Sequence, residues 1–270
     1  MSLRVNLAAL YTLNGNSHDT VAGNNGTDTS VTYSTGILNQ CAVLSGDPSK
    51  ILITSNSAIN NWTTFSINLW FKTGAAMGMF TRLIEKGANN EITVAINYGS
   101  VNGKITLQTI GTTSAALTSN IAVNDGNWHM LTVTINSDFT ACKMYIDGSL
   151  ANGASGSAAG SSPTKTGNVS IGAYGGGTGF NWQGSIEYVH LYTKELTASE
   201  VTSLYNSGSP LPFPFIVNDS KPSGSYTDDS IPSPFAIYGI AKYGLSRYST
   251  GSNYSNDSKP SGSYTNDSKP

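Results

Sequence analysis

Apolar and polar residues alternate along much of the chain between Leu7 and Tyr192, with turn-forming residues between the alternating stretches. Alternation with a period of two is typical of a β-strand that has one face on a core and the other in water. The pattern predicts strands at residues 50–53, 65–71, 92–96, 104–108, 130–135, 169–172 and 185–192. We therefore expect an all-β protein in which neighbouring strands pair antiparallel.

Dipeptides that favour tight turns separate several of these strands. Asn102-Gly103 lies between two of them, Asp125-Gly126 precedes another, and Asp147-Gly148 ends one. Asn, Asp and Gly tolerate the positive φ that tight turns need. The turns favour a meander or a Greek key.

One short helix is predicted near the end of the β region. Thr197 and Glu200 have the spacing of a capping box, in which each side chain accepts from the other residue's backbone N–H, and Gly208 provides a stop. Residues 151–167, in contrast, are mostly Ala, Gly, Ser and Thr, which predicts a long exposed loop.

The composition changes after Pro210. The segment NDSKPSGSYT occupies residues 218–227 and recurs at 256–265, and a third copy begins at Asn266. Repeats of this kind, without apolar periodicity, cannot bury enough surface to fold alone. We predict a β domain over residues 1–209 and an extended low-complexity arm over residues 210–270, which an assembly partner would order.

Charge and hydropathy exclude several classes of function. The chain has 14 Lys and Arg against 16 Asp and Glu, a net charge of -2, and no basic stripe that could bind a phosphate backbone, so no nucleic-acid partner is expected. No apolar run is long enough for a membrane span. The amino end is too short and too polar to be a signal peptide.

The two cysteines, Cys41 and Cys142, fall in different strand-like stretches. The sequence leaves two alternatives open: a disulfide between them, or two buried thiols. Alternation aims the two side chains at opposite strand faces, which favours the thiols.

Four groups of segments follow one another in a fixed order. They are an Asn/Gly/Asp-rich loop within 13–26, FSINLWF at 65–71 with LIEKG at 83–87, DGNWHMLTV at 125–133 with MYIDG at 144–148, and WQGSIEYVHLY at 182–192 before LTASEV at 196–201. Together they resemble the laminin-G-like domains of the concanavalin A-like lectin and glucanase superfamily, over about residues 5–207. The resemblance implies a two-sheet antiparallel jelly-roll sandwich with one short C-terminal helix.

The resemblance also implies one structural Ca²⁺, because similar domains often hold calcium with oxygens from the first loop and an acidic residue of the late strand. The matching positions are Asp19, with backbone carbonyls near Gly15 and Asn24, and Glu187. Glu187 departs from the aspartate that is common there, and its longer side chain changes the geometry. The alternative is that Asp19 closes an Asx turn and Glu187 is a surface charge.

Sugar binding needs an aromatic platform and polar groups that reach hydroxyls. The glycine-rich segment 174–182 offers both, so Tyr174, Phe180 and Asn181 are the predicted ligand-binding residues. Tyr98, which is adjacent to a turn, is predicted to line the rim.

Other aromatic residues are assigned to packing rather than to binding. Trp182 is expected to fill the core, and Trp62 is a turn-adjacent residue that more often packs than binds. The pair Trp128 and His129 is expected to be a packed indole with a hydrogen-bonded neighbour, so His129 is not predicted to be a catalytic base.

No signature of catalysis appears. Enzymes of the superfamily carry two or three carboxylates at alternate positions of one strand, as a retaining glycosidase mechanism requires, and no strand here has them. A nucleophile elbow, a phosphate loop and a His/Cys cluster are also missing from the sequence. We expect a protein that is not an enzyme.

Two hypotheses follow. The first is a surface binding module that recognises a glycan or a glycosylated surface through its loops. The alternative is a structural or decoration protein of a phage, another virus particle or an extracellular assembly, with the sandwich displayed and the arm mediating assembly. Both place the protein outside the cell or on a virion surface.

Overall fold

The computed structural model describes residues 3–60, 63–74, 77–87, 92–100, 102–109, 117–136, 141–153, 166–175 and 179–213. Trp62, most of the loop predicted at 151–167 and the arm beyond Phe213 lie outside these residues. The described residues form fifteen strands and one helix, with these bounds: β1 Leu7–Tyr11, β2 Gly26–Thr29, β3 Thr32–Thr35, β4 Gln40–Ser45, β5 Lys50–Ile53, β6 Phe65–Lys72, β7 Thr81–Lys86, β8 Ile92–Ile96, β9 Lys104–Thr109, β10 Leu117–Ala122, β11 Trp128–Ile135, β12 Lys143–Ile146, β13 Ser149–Leu150, β14 Val169–Ile171, β15 Gln183–Tyr192 and α1 Ala198–Tyr205.

The strands form two antiparallel sheets packed as a sandwich, which confirms the predicted fold. The eight-stranded sheet has the order β13-β12-β11-β6-β15-β4-β3, and β1 also pairs with β15. The seven-stranded sheet has the order β10-β9-β8-β7-β14-β5-β2. Each of the seven strands predicted from alternation is present, with its ends shifted by two residues at most.

The main core lies between the sheets. From the eight-stranded sheet, Phe65, Leu69 and Phe71 of β6 point into it, and Leu83 and Val94 enter from the seven-stranded sheet. Alternate residues of one strand share a face, so the period-two pattern read in the sequence supplies this interior.

A second apolar cluster covers the outer face of the eight-stranded sheet. Trp70 of β6 belongs to it together with Val201 and Leu204 of α1, and the Trp70 ring stacks on Tyr205 with centroids 5.8 Å apart. Consequently β6 is buried on both faces from Phe65 to Phe71. The expectation of one wet face is wrong for this strand, because the helix and neighbouring segments replace water there.

The helix begins as predicted and ends slightly earlier. Thr197 and Glu200 form both hydrogen bonds of the capping box, whereas the left-handed C-cap is Asn206 with φ 44° rather than Gly208. Beyond the helix, Leu211 is buried in the second cluster and Phe213 packs against it. The packed chain therefore continues past residue 209, where the sequence placed the end of the domain.

Cys41 and Cys142 are not joined by a disulfide. Cys41 is buried and donates its thiol hydrogen to the Thr35 carbonyl at 3.6 Å, and Cys142 packs against the main core. Within the described residues, no helix is long and apolar enough to cross a membrane.

Candidate functional site

Antiparallel pairing brings three loops together at one end of the seven-stranded sheet. Strand β7 lies between β8 and β14 and runs opposite to both, so the start of β7 is next to the ends of its two neighbours. Phe80 precedes β7, Tyr98 follows β8 and Tyr174 follows β14. The strand order therefore places the three aromatic residues at the same end of the sheet.

Phe180 joins them from the loop before β15, and we call Phe80, Tyr98, Tyr174 and Phe180 the aromatic platform. Ring centroids are 4.6 Å apart for Phe80 and Tyr98, and 6.4 Å apart both for Phe80 and Phe180 and for Tyr174 and Phe180. All three contacts are edge-to-face, a favoured geometry for aromatic pairs. Phe180 is 49% exposed, so the cluster is open to solvent.

Two members of the platform have unusual backbones. Phe80 has φ 61° and Phe180 has φ 56°, in the left-handed region that bulky side chains seldom occupy. Such conformations cost on the order of 1–3 kcal/mol and persist where surrounding contacts fix them. Here Arg82 fixes both, since its Nη1 donates to the Phe80 carbonyl and its backbone N–H to the Phe180 carbonyl, each at 2.7 Å.

The guanidinium of Arg82 is at the centre of the platform. It lies 5.7 Å from the ring centroid of Phe80, 5.8 Å from that of Tyr174 and 5.1 Å from that of Phe180, within the range of cation–π attraction. Its Nε donates to Glu85 Oε2 at 2.9 Å. The Arg82 and Glu85 side chains are only 5% and 0% exposed.

Polar groups flank the platform next to Phe180. The Asn181 amide donates from Nδ2 to the Ser49 carbonyl at 3.1 Å, and Asn181 forms a β-bridge to Arg82. Asn181 Oδ1 is buried without a hydrogen-bond partner among the described residues. The structure thus brings Tyr98, Tyr174, Phe180 and Asn181, the four residues predicted to bind ligand, to one end of one sheet.

Phe80 and Arg82, which link the other members, were not predicted from the sequence. The only local signal is that Arg82, a charged residue, directly precedes the apolar pair Leu83-Ile84 and lies two residues after Phe80. This signal does not reveal that Arg82 contacts three rings, because those rings come from distant parts of the chain.

Asp19 has a surrounding suited to a carboxylate that orders a loop. Its Oδ1 accepts from the N–H groups of Leu10 and Val21, and its Oδ2 from those of Ala22 and Asn24 and from the Asn24 amide, at 2.9–3.2 Å. The Asn24 carbonyl, a predicted calcium ligand, accepts from the Tyr11 hydroxyl at 2.8 Å. This pattern includes the Asx turn that was the alternative for Asp19.

Glu187 is buried rather than a surface charge, so that alternative was wrong. Its two oxygens accept from the backbone N–H groups of Ile37, Leu38 and Asn39, at 2.7–3.3 Å. Burial raises the pKa of Glu187, although the three N–H donors act in the opposite direction.

The two predicted metal ligands serve different loops, and N–H donors engage both. A calcium ion takes six to eight oxygen ligands. Groups of three or more His, Cys, Asp or Glu able to hold a metal do not occur among the described residues. The N–H donors on Asp19 and Glu187 argue against one calcium ion shared by these two residues, and calcium binding stays a prediction from the resemblance.

His129, which was expected to be hydrogen-bonded rather than catalytic, lies between two aspartates. Its Nδ1 is 2.8 Å from Asp147 Oδ2 and its Nε2 is 3.1 Å from Asp125 Oδ1. The hydrogen bond to Asp147 is the main cause that raises the pKa of His129. Through these two contacts, His129 links Asp125 in the turn before β11 to Asp147 in the turn after β12.

A comparison with protein families gives one match. The family model described as "Concanavalin A-like lectin/glucanases superfamily" matches residues 45–202, which is more than half of the chain. The comparison with curated protein sequences gave no match.

Solved structures with the same fold come from several proteins. Domain 4 of AbnA, an extracellular arabinanase of Geobacillus stearothermophilus solved with arabinotriose, is similar with a TM-score of 0.58 and 20% identity over 74% of this chain and 98% of that one. The binding domain of Paraclostridial Mosquitocidal Protein 1 has a TM-score of 0.61 and 19% identity, over 75% of this chain and 52% of that one. A Trypanosoma rangeli sialidase has a TM-score of 0.59 and 12% identity, over 75% of this chain and 33% of that one. At these identities the likeness shows the fold alone.

Proposed function

We propose that this chain, a member of the concanavalin A-like lectin/glucanases superfamily, is a non-catalytic module that binds carbohydrate at the aromatic platform. The observation that carries the proposal is the convergence of Phe80, Tyr98, Tyr174 and Phe180 at one sheet end, two of them in strained conformations. Strain of this kind is concentrated at functional sites in proteins.

The chemistry of the platform suits a sugar. A pyranose presents an apolar face of C–H groups and a rim of hydroxyls, so it needs aromatic carbon together with amide or hydroxyl groups. Phe180 offers an exposed ring, and the half-buried Tyr174 beside it carries a phenolic hydroxyl. The arabinanase domain of the same fold, solved with arabinotriose, supports this class of ligand.

The carboxylates support a binding role rather than a hydrolytic one. A retaining glycosidase needs two carboxyl groups about 5–5.5 Å apart on either side of the scissile bond. Near the platform, Glu85 is fully buried against Arg82, and in the other sheet Glu187 accepts three backbone N–H groups. Both of these carboxylates are already engaged in holding the fold.

The test compares glycan binding by the wild type with binding by Phe180→Asn. Asn is the non-glycine residue that best tolerates a left-handed backbone, so this change removes the ring and keeps the loop conformation. An aromatic contact is worth about 0.5–1.5 kcal/mol beyond buried area, so affinity should fall about tenfold or more in titration calorimetry.

The matched control is Leu150→Asn. Leu150 is 57% exposed on β13 of the other sheet, so the control also replaces an exposed apolar side chain with Asn, but away from the platform. Its glycan affinity should equal that of the wild type. Equal loss in both variants, or no glycan binding by the wild type at millimolar concentration, would contradict the proposal.

The repeats suggest a second role, in which residues 214–270 fasten the module to a larger particle outside the cell or on a virion. Its support is the sequence itself, since NDSKPSGSYT occurs at 218–227 and again at 256–265. A deletion should begin after Phe213, because Leu211 and Phe213 pack on the domain. Loss of assembly with retained glycan binding is the expected result, whereas unchanged assembly would exclude this role.

A further inference from the structure

We infer that the aromatic platform selects neutral sugars over acidic ones, because the cation at its centre is already neutralised by a buried partner. The inference rests on the proposed function and specifies its ligand class.

A free arginine beside aromatic rings would attract a sugar carboxylate or sulfate, because its fork of N–H donors matches those groups. Arg82 is not free in this sense. Its Nε is bonded to Glu85 at 2.9 Å, its Nη1 to the Phe80 carbonyl at 2.7 Å, and its side chain is 5% exposed. The guanidinium is therefore committed before a ligand arrives.

The charge balance leads to the same conclusion. Glu85 lies three residues after Arg82 on β7, with a side chain that is 0% exposed, so the pair contributes no net charge beneath the rings. An acidic sugar would give up hydration at the platform without gaining a free cation, and losing the solvation of an unpaired charge is costly. A neutral sugar does not incur this cost.

Arg82 is accordingly a positioning residue. It holds the carbonyls of Phe80 and Phe180, both in left-handed conformations, and its guanidinium lies near the rings of Phe80, Tyr174 and Phe180. The ligand meets the rings, and Arg82 fixes where the rings are.

The experiment presents the full chain with matched pairs of oligosaccharides, each neutral and in a sialylated or sulfated form. Binding is measured by titration at about 50 mM and about 500 mM NaCl, a range over which screening of exposed charges changes strongly. We expect the neutral member of each pair to bind about tenfold more tightly, with affinity changing less than about twofold between the two salts.

Tighter binding of the acidic members, weakened by salt, would overturn the inference while leaving carbohydrate binding intact. Absence of binding by both members would instead reject the proposed function, and the inference with it. The two failures are thus distinguishable.

Glu85→Gln tests the cause directly, because it removes the compensating charge and keeps the side-chain shape. The ratio of acidic to neutral affinity should rise at least about fivefold, since the guanidinium charge is then uncompensated. The control is Glu195→Gln. It removes an equal charge from the ion pair with Lys143, which lies on β12 of the eight-stranded sheet, and should leave the ratio unchanged. If Glu85→Gln does not fold, the paired ligands on the wild type still decide the question.

Discussion

Phe180 and Trp182 are two residues apart, yet one is 49% exposed on the platform and the other is fully buried, with its ring edge-on to Phe71 at 5.6 Å. In an extended strand, residues two apart share a face. The positive φ of Phe180 breaks the extended path just before β15, so the two rings separate. One loop thus supplies both a core residue, as predicted for Trp182, and an exposed platform residue.

This relationship predicts a large difference in stability between two substitutions. Trp182→Ala should lower the free energy of unfolding by about 3–5 kcal/mol, because it opens a cavity in the core. Phe180→Asn should change it by less than about 1.5 kcal/mol, because relief of the left-handed strain offsets the lost contacts of the ring with Phe80, Tyr174 and Arg82. Urea denaturation followed by circular dichroism measures both. Similar losses in the two variants would mean that Phe180 is part of the core.

Glu187→Gln should destabilise the fold by about 1–3 kcal/mol. The substitution removes a negative charge from three backbone N–H donors and places an amide that is itself a donor against the turn at Ile37, Leu38 and Asn39. Glu195→Gln, at a partly exposed ion pair, serves as the control and should cost less than about 1 kcal/mol. Equal costs in urea titrations would show that the buried charge has no special role.

The hydrogen bonds of His129 make stability depend on pH. The pKa of His129 is raised above its unfolded value, chiefly by Asp147, so the extra stability is fully present below about pH 6.5 and is lost as pH rises through the folded pKa. His129→Gln should remove this dependence. The difference in melting temperature between wild type and His129→Gln should shrink from pH 5.5 to 9, and a difference that stays constant over this range would contradict the prediction.

Calcium removal should leave the melting temperature unchanged. The oxygens of Asp19 and Glu187 accept N–H groups from their loops, so no calcium is needed to balance them. Asp19→Asn should destabilise the protein by about 1–3 kcal/mol with or without chelator, because the loop from Val21 to Asn24 loses its acceptor. A fall of several degrees when EGTA is added to the wild type would support the calcium site implied by the resemblance instead.

Much of the fold follows from local sequence. Alternation located β5, β6, β8, β9, β11, β14 and β15, because a strand with an apolar face repeats every two residues whatever its partners are. The capping box at Thr197 and Glu200 was equally legible, since both hydrogen bonds form within one turn. Both signals depend on residues close in sequence.

Burial of the outer face of a strand could not be predicted from the sequence, because it depends on which distant residues pack against that face. Nothing local to Trp70 indicates that Tyr205 will stack on it, and nothing local to Glu187 indicates that the turn from Ile37 to Asn39 will enclose it. These pairs are more than one hundred residues apart in the chain. Only the completed sandwich brings them together.

By itself, the sequence determined seven of the fifteen strands, the helix and the residue types that a sugar site needs, because periodicity, capping and side-chain chemistry are local properties. The tertiary structure alone decided that Phe80 and Arg82 join Tyr98, Tyr174 and Phe180, since this follows from β7 lying antiparallel between β8 and β14. Strand order is set by pairing between segments far apart in the chain. The loop-closure entropy that this pairing costs is offset only when both sheets and the core between them form.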